Sequence, residues 1–132
     1  MIVFCTLPDL LGEDERITPF AAHMLAHVFS NAAPVRVIGD AEFLLNRNDG
    51  GWVVTVFNNN GVFKPQQGMA QVDRSAYVTV TISVPSQRIE TAVDWTTDKP
   101  VAVERSNGED KLTLSVAPGG ISVINLRTVR AQ

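Results

Sequence analysis

Two histidines four residues apart, His23 and His27 in "HMLAH", are this chain's nearest approach to a metal motif. On a helix that spacing puts both imidazoles on one face, as in zinc metalloproteases, where an intervening glutamate acts as general base. Met24 stands in the glutamate's place and no third ligand stands out. The pair therefore reads as the edge of a packed helix face, and neither a specific zinc site nor a cofactor is expected. Cys5, the single cysteine, excludes an internal disulfide. It lies inside the apolar run "IVFCT", without the sharp turn that presents a nucleophilic thiol, and reads as an inert core residue.

Oxygen-bearing side chains alternate in "NRNDGG", Asn46 to Gly51, in faint likeness to a calcium loop. The acidic first position and the distant bidentate glutamate are missing, so a hairpin turn is expected there. Glu13, Asp14 and Glu15 crowd one charged loop, whereas a glycosidase pair comes from separate elements flanking the substrate. No nucleophile, base and oxyanion donors assemble into a catalytic set, and the chain reads as no enzyme.

Aromatic residues carry the one binding chemistry that remains. Flat rings stack on pyranose faces while nearby amides hold the hydroxyls. Trp52, Phe63, Tyr77 and Trp95 are the candidate rings, with Asn58, Asn59 and Asn60 as polar neighbours. Both tryptophans also fit core packing, Trp95 because it shares a face with Ile89 and Val93. Tyr77 differs, since it belongs to the polar face of Thr79 and Thr81.

The elements that must position these groups change character near Pro34. Before it, Ile2 to Thr6 is a short, wholly apolar run, the pattern of a strand covered on both faces. Thr18 and Pro19 then open a helix, Phe20, Met24, Leu25, Val28 and Phe29 recur at helical spacing, and Asn31 with Pro34 closes it. After Pro34 the period is two. Strands are predicted around Trp52–Phe57, Tyr77–Val84, Ile89–Trp95, Leu112–Val116 and Gly119–Leu126. Asp49-Gly50, Asn60-Gly61, Asn107-Gly108 and Gly119-Gly120 supply turns with positive φ between them. Val62 to Gln71 is either a long crossing loop or a brief edge strand stopped by Pro65. The expected fold is mostly β: an antiparallel β-sandwich over 35–132, preceded by one strand and one α-helix over 1–34, together one domain. Val54, Val56, Val80, Ile82, Leu112, Leu114 and Val123 are its expected core.

Of the 132 residues, 45% are hydrophobic and 19% charged, the balance of an ordinary globular domain. A net charge of −3 gives no basic footprint for nucleic acid. The apolar runs are shorter than the roughly 20 residues of a membrane helix. Met1 to Asp9 lacks the basic start and cleavage site of a signal peptide.

"GWVVTVFNNNGV", "VTVTISV", "ETAVDW" and "KLTLSVAPGGISVINL" resemble the small C-terminal β-sandwich of many glycoside hydrolases and related carbohydrate-active proteins. There a strand ends in asparagine before a loop, and the last hairpin turns on Pro-Gly before an apolar strand. Asn58 and Pro118-Gly119-Gly120 fill those places. "IVFCT…ITPFAAHMLAHVF" is similar to the last strand and helix of a glutamine-amidotransferase-like domain, the order found in beta-galactosidases with a trimerisation domain. The resemblance implies a non-catalytic accessory module docking to a partner domain, or alternatively a carbohydrate-binding module using exposed aromatics. A catalytic barrel needs about 200 residues or more and does not fit. The chain is then a fragment of a longer protein or a small protein that kept one strand and helix. The partner would be the missing upstream domain or a second copy, in a homodimer through the first strand and the Phe20/Met24/Val28 face.

Overall fold

The computed structural model of the chain describes His23, residues 32–106 and residues 108–130. The chain divides into two units, Met1–Ala33 and Pro34–Gln132. The expected first strand and helix fall in the former, outside the described residues apart from single helical positions at His23 and Ala32, and so does the proposed dimer surface. The second unit is built of β-strands.

Among the described residues the strands are β1 (Arg36–Ile38), β2 (Glu42–Asn48), β3 (Gly51–Phe57), β4 (Val62–Phe63), β5 (Gln71–Val72), β6 (Val78–Ser83), β7 (Gln87–Asp94), β8 (Lys99–Pro100), β9 (Glu104–Ser106), β10 (Glu109–Val116) and β11 (Ile121–Arg130). They form a sheet in the order β1-β6-β10-β9, a second in the order β2-β3-β11-β7-β8, and a β4-β5 ribbon. Every pairing is antiparallel. The five predicted strands are all present. β1 and β2 escape the pattern because "RVI" is short and "EFLLNRN" puts Phe43 and Leu44, neighbours on opposite faces, both into the open. Of the two readings of the Val62 excursion, the brief strand is the one found, paired with β5 rather than with a main sheet.

The inward faces of the two larger sheets share one core. Val54 and Val56 of β3, Ile124 and Leu126 of β11, and Ile89 and Ala92 of β7 meet Val80 and Ile82 of β6 and Leu112 of β10. This is the layout of an antiparallel sandwich. Two expected core residues behave differently. Leu114 is only half-buried, packed against the core's margin. Val123 pairs with Thr55 on the outward side of β3, and its neighbours Ile124 and Leu126 take the core positions. "ISVINL" offers an apolar residue in either phase, so alternation alone could not choose; the register to β3 does.

Asp110 sits on the inward face, 5% exposed, and its Oδ2 accepts the Ile89 backbone N–H at 2.7 Å across the two sheets. Arg105 Nε stands 3.5 Å from its other oxygen. The N–H becomes available beside a bulge: Thr91 pairs with Arg127 and Ile89 with Thr128, so Glu90 has no opposite residue. That bulge also changes the phase of β7. Ile89 and Ala92 both face the core, while Val93 and Trp95 turn outward.

Candidate functional site

The ring and amide candidates scatter over the unit instead of forming one row. Trp52 is half-buried beside the core, donates its Nε1–H to Gln87 Oε1 at 3.1 Å, and lies under the Arg47 guanidinium at 5.7 Å. Its ring packs against the core's margin and is engaged by the fold's own contacts. Trp95 is 53% exposed on the outward face of the five-stranded sheet, apart from Ile89 because of the bulge. Phe63 is exposed on the β4-β5 ribbon. Tyr77 stands at the mouth of β6, 61% exposed. His23 is exposed and His27 lies outside the described residues. Among the described residues no three His, Cys, Asp or Glu side chains are grouped to hold a metal ion. Among the described residues no helix is long and apolar enough to cross a membrane.

The three asparagines have three different fates. Asn58 is fully buried. Its Nδ2 donates to Ala76 O and Val116 O, both at 2.9 Å, and its Oδ1 accepts Asn60 N–H at 2.9 Å. Its backbone also exchanges hydrogen bonds with Gly119 and Gly120. Every polar group of this side chain is spent holding loops together. Asn59 is exposed and its carbonyl accepts Val62 N–H at 3.4 Å. Asn60 Nδ2 donates to Asp40 O at 2.9 Å and Asp40 Oδ2 at 3.0 Å.

Two of the candidates do meet. Tyr77 and Asn60, with Asp40, Ala76, Val78 and Thr79, line an open hollow of about 420 Å³ at one end of the four-stranded sheet. Asp40 carried no sequence signal beyond its place in the Gly39-Asp40 turn between β1 and β2. The approach to Tyr77 is set by Asp73, whose Oδ1 accepts both Ser75 N–H (2.9 Å) and Ser75 Oγ–H (2.6 Å). Those two bonds hold the exposed Asp73 carboxyl below the ordinary aspartate range. Ala76 N–H then bonds to Asp73 O, completing the turn into Tyr77.

The outward face of the five-stranded sheet has a different character. At one end Phe57 pairs with Ile121, and in the next row Leu44, Thr55 and Val123 align, with Trp95 N–H bonded to Val123 O. Val53 and Val93 flank Asn125 one row further. Leu44, Trp95 and Ile121 are more than half exposed. Beyond them the face turns polar: Asn48 Nδ2 donates to Asn125 Oδ1 at 2.8 Å beside Thr91 and Arg127, in a second hollow of about 450 Å³. The apolar end adjoins the ribbon, since Val62 lies against Gly119, two residues before Ile121. Phe63 and Met69 of that excursion are 66% and 90% exposed.

No family model matches the chain, and no curated protein or solved structure matches it either.

Proposed function

We propose that the chain is a non-catalytic accessory module of a larger carbohydrate-active protein, and that it docks to a partner domain through the outward face of its five-stranded sheet. One observation carries the reading: apolar side chains run across β2, β3 and β11 of that face to the residue just past β7, from Leu44 through Phe57 and Ile121 to Trp95. A contiguous exposed apolar patch rimmed by polar residues marks an interaction surface more often than solitary exposed side chains do. Val62 of the β4-β5 ribbon lies against Gly119 at the end of this patch. The kind of partner follows from the resemblance: Asn58 closing β3 and the Pro118–Gly120 turn before β11 are similar to C-terminal sandwiches that pack on catalytic or amidotransferase-like domains.

Photo-crosslinking in the source cells tests this. A benzoylphenylalanine at Ile121 should capture a domain of a carbohydrate-active protein, identified by mass spectrometry. The same group at Thr113, exposed on the other sheet, should not. Equal capture from both positions, or none from Ile121, would overturn the reading.

A further inference from the structure

The hollow beside Tyr77 has walls fixed from a single buried point. Asn58 holds Asn60 through its Oδ1 and the carbonyl next to Tyr77 through its Nδ2. On the third side Gly39, at φ 147°, lets the chain run against β6: a Cβ there would stand 2.6 Å from Thr79 O. That close approach is what brings Asp40 up to Thr79.

Asp40 and Asn60 bring acceptor oxygens to the hollow's lining. Asn60 Nδ2 faces two oxygens of Asp40, so its Oδ1 must point away from them. Neither that Oδ1 nor the second carboxylate oxygen of Asp40 has a hydrogen-bond partner among the described residues. Two prearranged acceptors therefore stand beside an exposed phenol ring and the Thr79 hydroxyl. From there the outward face of the four-stranded sheet continues as a hydroxyl track. Ser115 lies opposite Thr79, and Thr113 opposite Thr81 with their Oγ atoms 3.4 Å apart.

The geometry points to a binding site for a neutral saccharide, with Tyr77 stacking on one pyranose face, Asp40 and Asn60 accepting its hydroxyl protons, and the threonine track meeting the next sugar. A sugar ring pairs C–H faces with a rim of hydroxyl donors, which is the complement of one ring and two fixed acceptors. Acceptors already ordered by the two Asn60–Asp40 hydrogen bonds lose little freedom on binding. An anionic ligand would meet the Asp40 carboxylate. A cation would satisfy Asp40 and Tyr77 but leave the uncharged track without a role. The site is on the opposite sheet from the proposed docking face, so the two readings stand or fall separately.

The test is amide-resolved NMR titration of the full 132-residue chain. Cellopentaose, xylopentaose, mannopentaose and galactopentaose are each added to about 10 mM, which covers weak sites. At least one should shift Asp40, Asn60, Tyr77 and Thr79 together. Tyr77→Ala should weaken that glycan by about tenfold or more, while Tyr77→Phe, which keeps the ring, binds within a few-fold. The ring's exposure leaves both variants folded, as an unchanged melting temperature will verify. Shifts with tetralysine and none with the glycans would replace the proposal by a cationic peptide partner. Glycan shifts centred on Trp95, or no shift with any probe, would overturn it as well.

Discussion

Asn58 donates from Nδ2 to the carbonyl oxygen of Ala76 at 2.9 Å, tying the end of β3 to the residue that precedes Tyr77. The same amide holds Val116 O at the end of β10, and its Oδ1 holds Asn60. One side chain thus joins strands of both sheets to the loop between them. The asparagine closing "TVFNNNG" is an architectural joint, and it positions the hollow without touching what the hollow would bind.

Removing the joint should be expensive. Asn58→Ala leaves two carbonyls and one N–H without this partner; the buried Val116 carbonyl costs about 1–3 kcal/mol as an orphan, and the part-buried Ala76 carbonyl and Asn60 N–H add less each. A loss of about 3 kcal/mol is expected in urea melts, together with displaced amide signals at Asn60 and Tyr77. Asn58→Asp should fare little better, because a carboxylate cannot donate to Ala76 O or Val116 O. Asn59→Ala, at an exposed position, should change stability by less than about 0.5 kcal/mol. Equal effects at 58 and 59 would refute the joint.

The core offers a sharper comparison along one strand. Leu112 is fully buried between the sheets, whereas Leu114 is half-buried at the margin. Leu112→Ala should cost about 2–5 kcal/mol, the range for a large side chain removed from a closed core. Leu114→Ala should cost less than half as much, since solvent already reaches it and can fill the space. Reversed values would mean that β10 meets the core in the other phase.

That difference shows what the sequence could and could not convey. Val54, Val56, Val80, Ile82 and Leu112 were legible because polar neighbours alternate with them. Val123 was not, because both phases of "ISVINL" contain apolar residues and only pairing with β3 selects Ile124 and Leu126. Trp95 left the face of Ile89 because Glu90 bulges, and one unpaired residue inverts everything beyond it. Tyr77 and Asn60 could be named as candidates, yet their meeting with Asp40 spans three separate segments. It depends on Gly39's close approach to β6, which a linear reading cannot weigh.

Glycines give the last test, because two of them should respond differently to the same change. Gly51 follows the Asp49-Gly50 turn that joins β2 to β3 and carries φ 153°, where the sequence had pointed to Gly50 for the positive φ. A Cβ at Gly51 would lie 2.2 Å from Leu126 O and 3.0 Å from Thr128 N, both backbone atoms of the central strand β11. Nothing there can rotate aside, so Gly51→Ala must push β3 off β11 or bend the hairpin. Gly108 has φ 80° but nothing within 4 Å of its added Cβ. Gly108→Ala therefore bears only the left-handed backbone penalty, about 1–2 kcal/mol. Gly51→Ala should exceed it, and should also disturb the Asn48–Asn125 bond next to the hairpin. Urea melts of the two variants, with side-chain amide NMR on Asn48 and Asn125, decide the matter. A Gly51→Ala protein as stable as Gly108→Ala, with those amides unmoved, would show that β3 does not pair with β11 in this register.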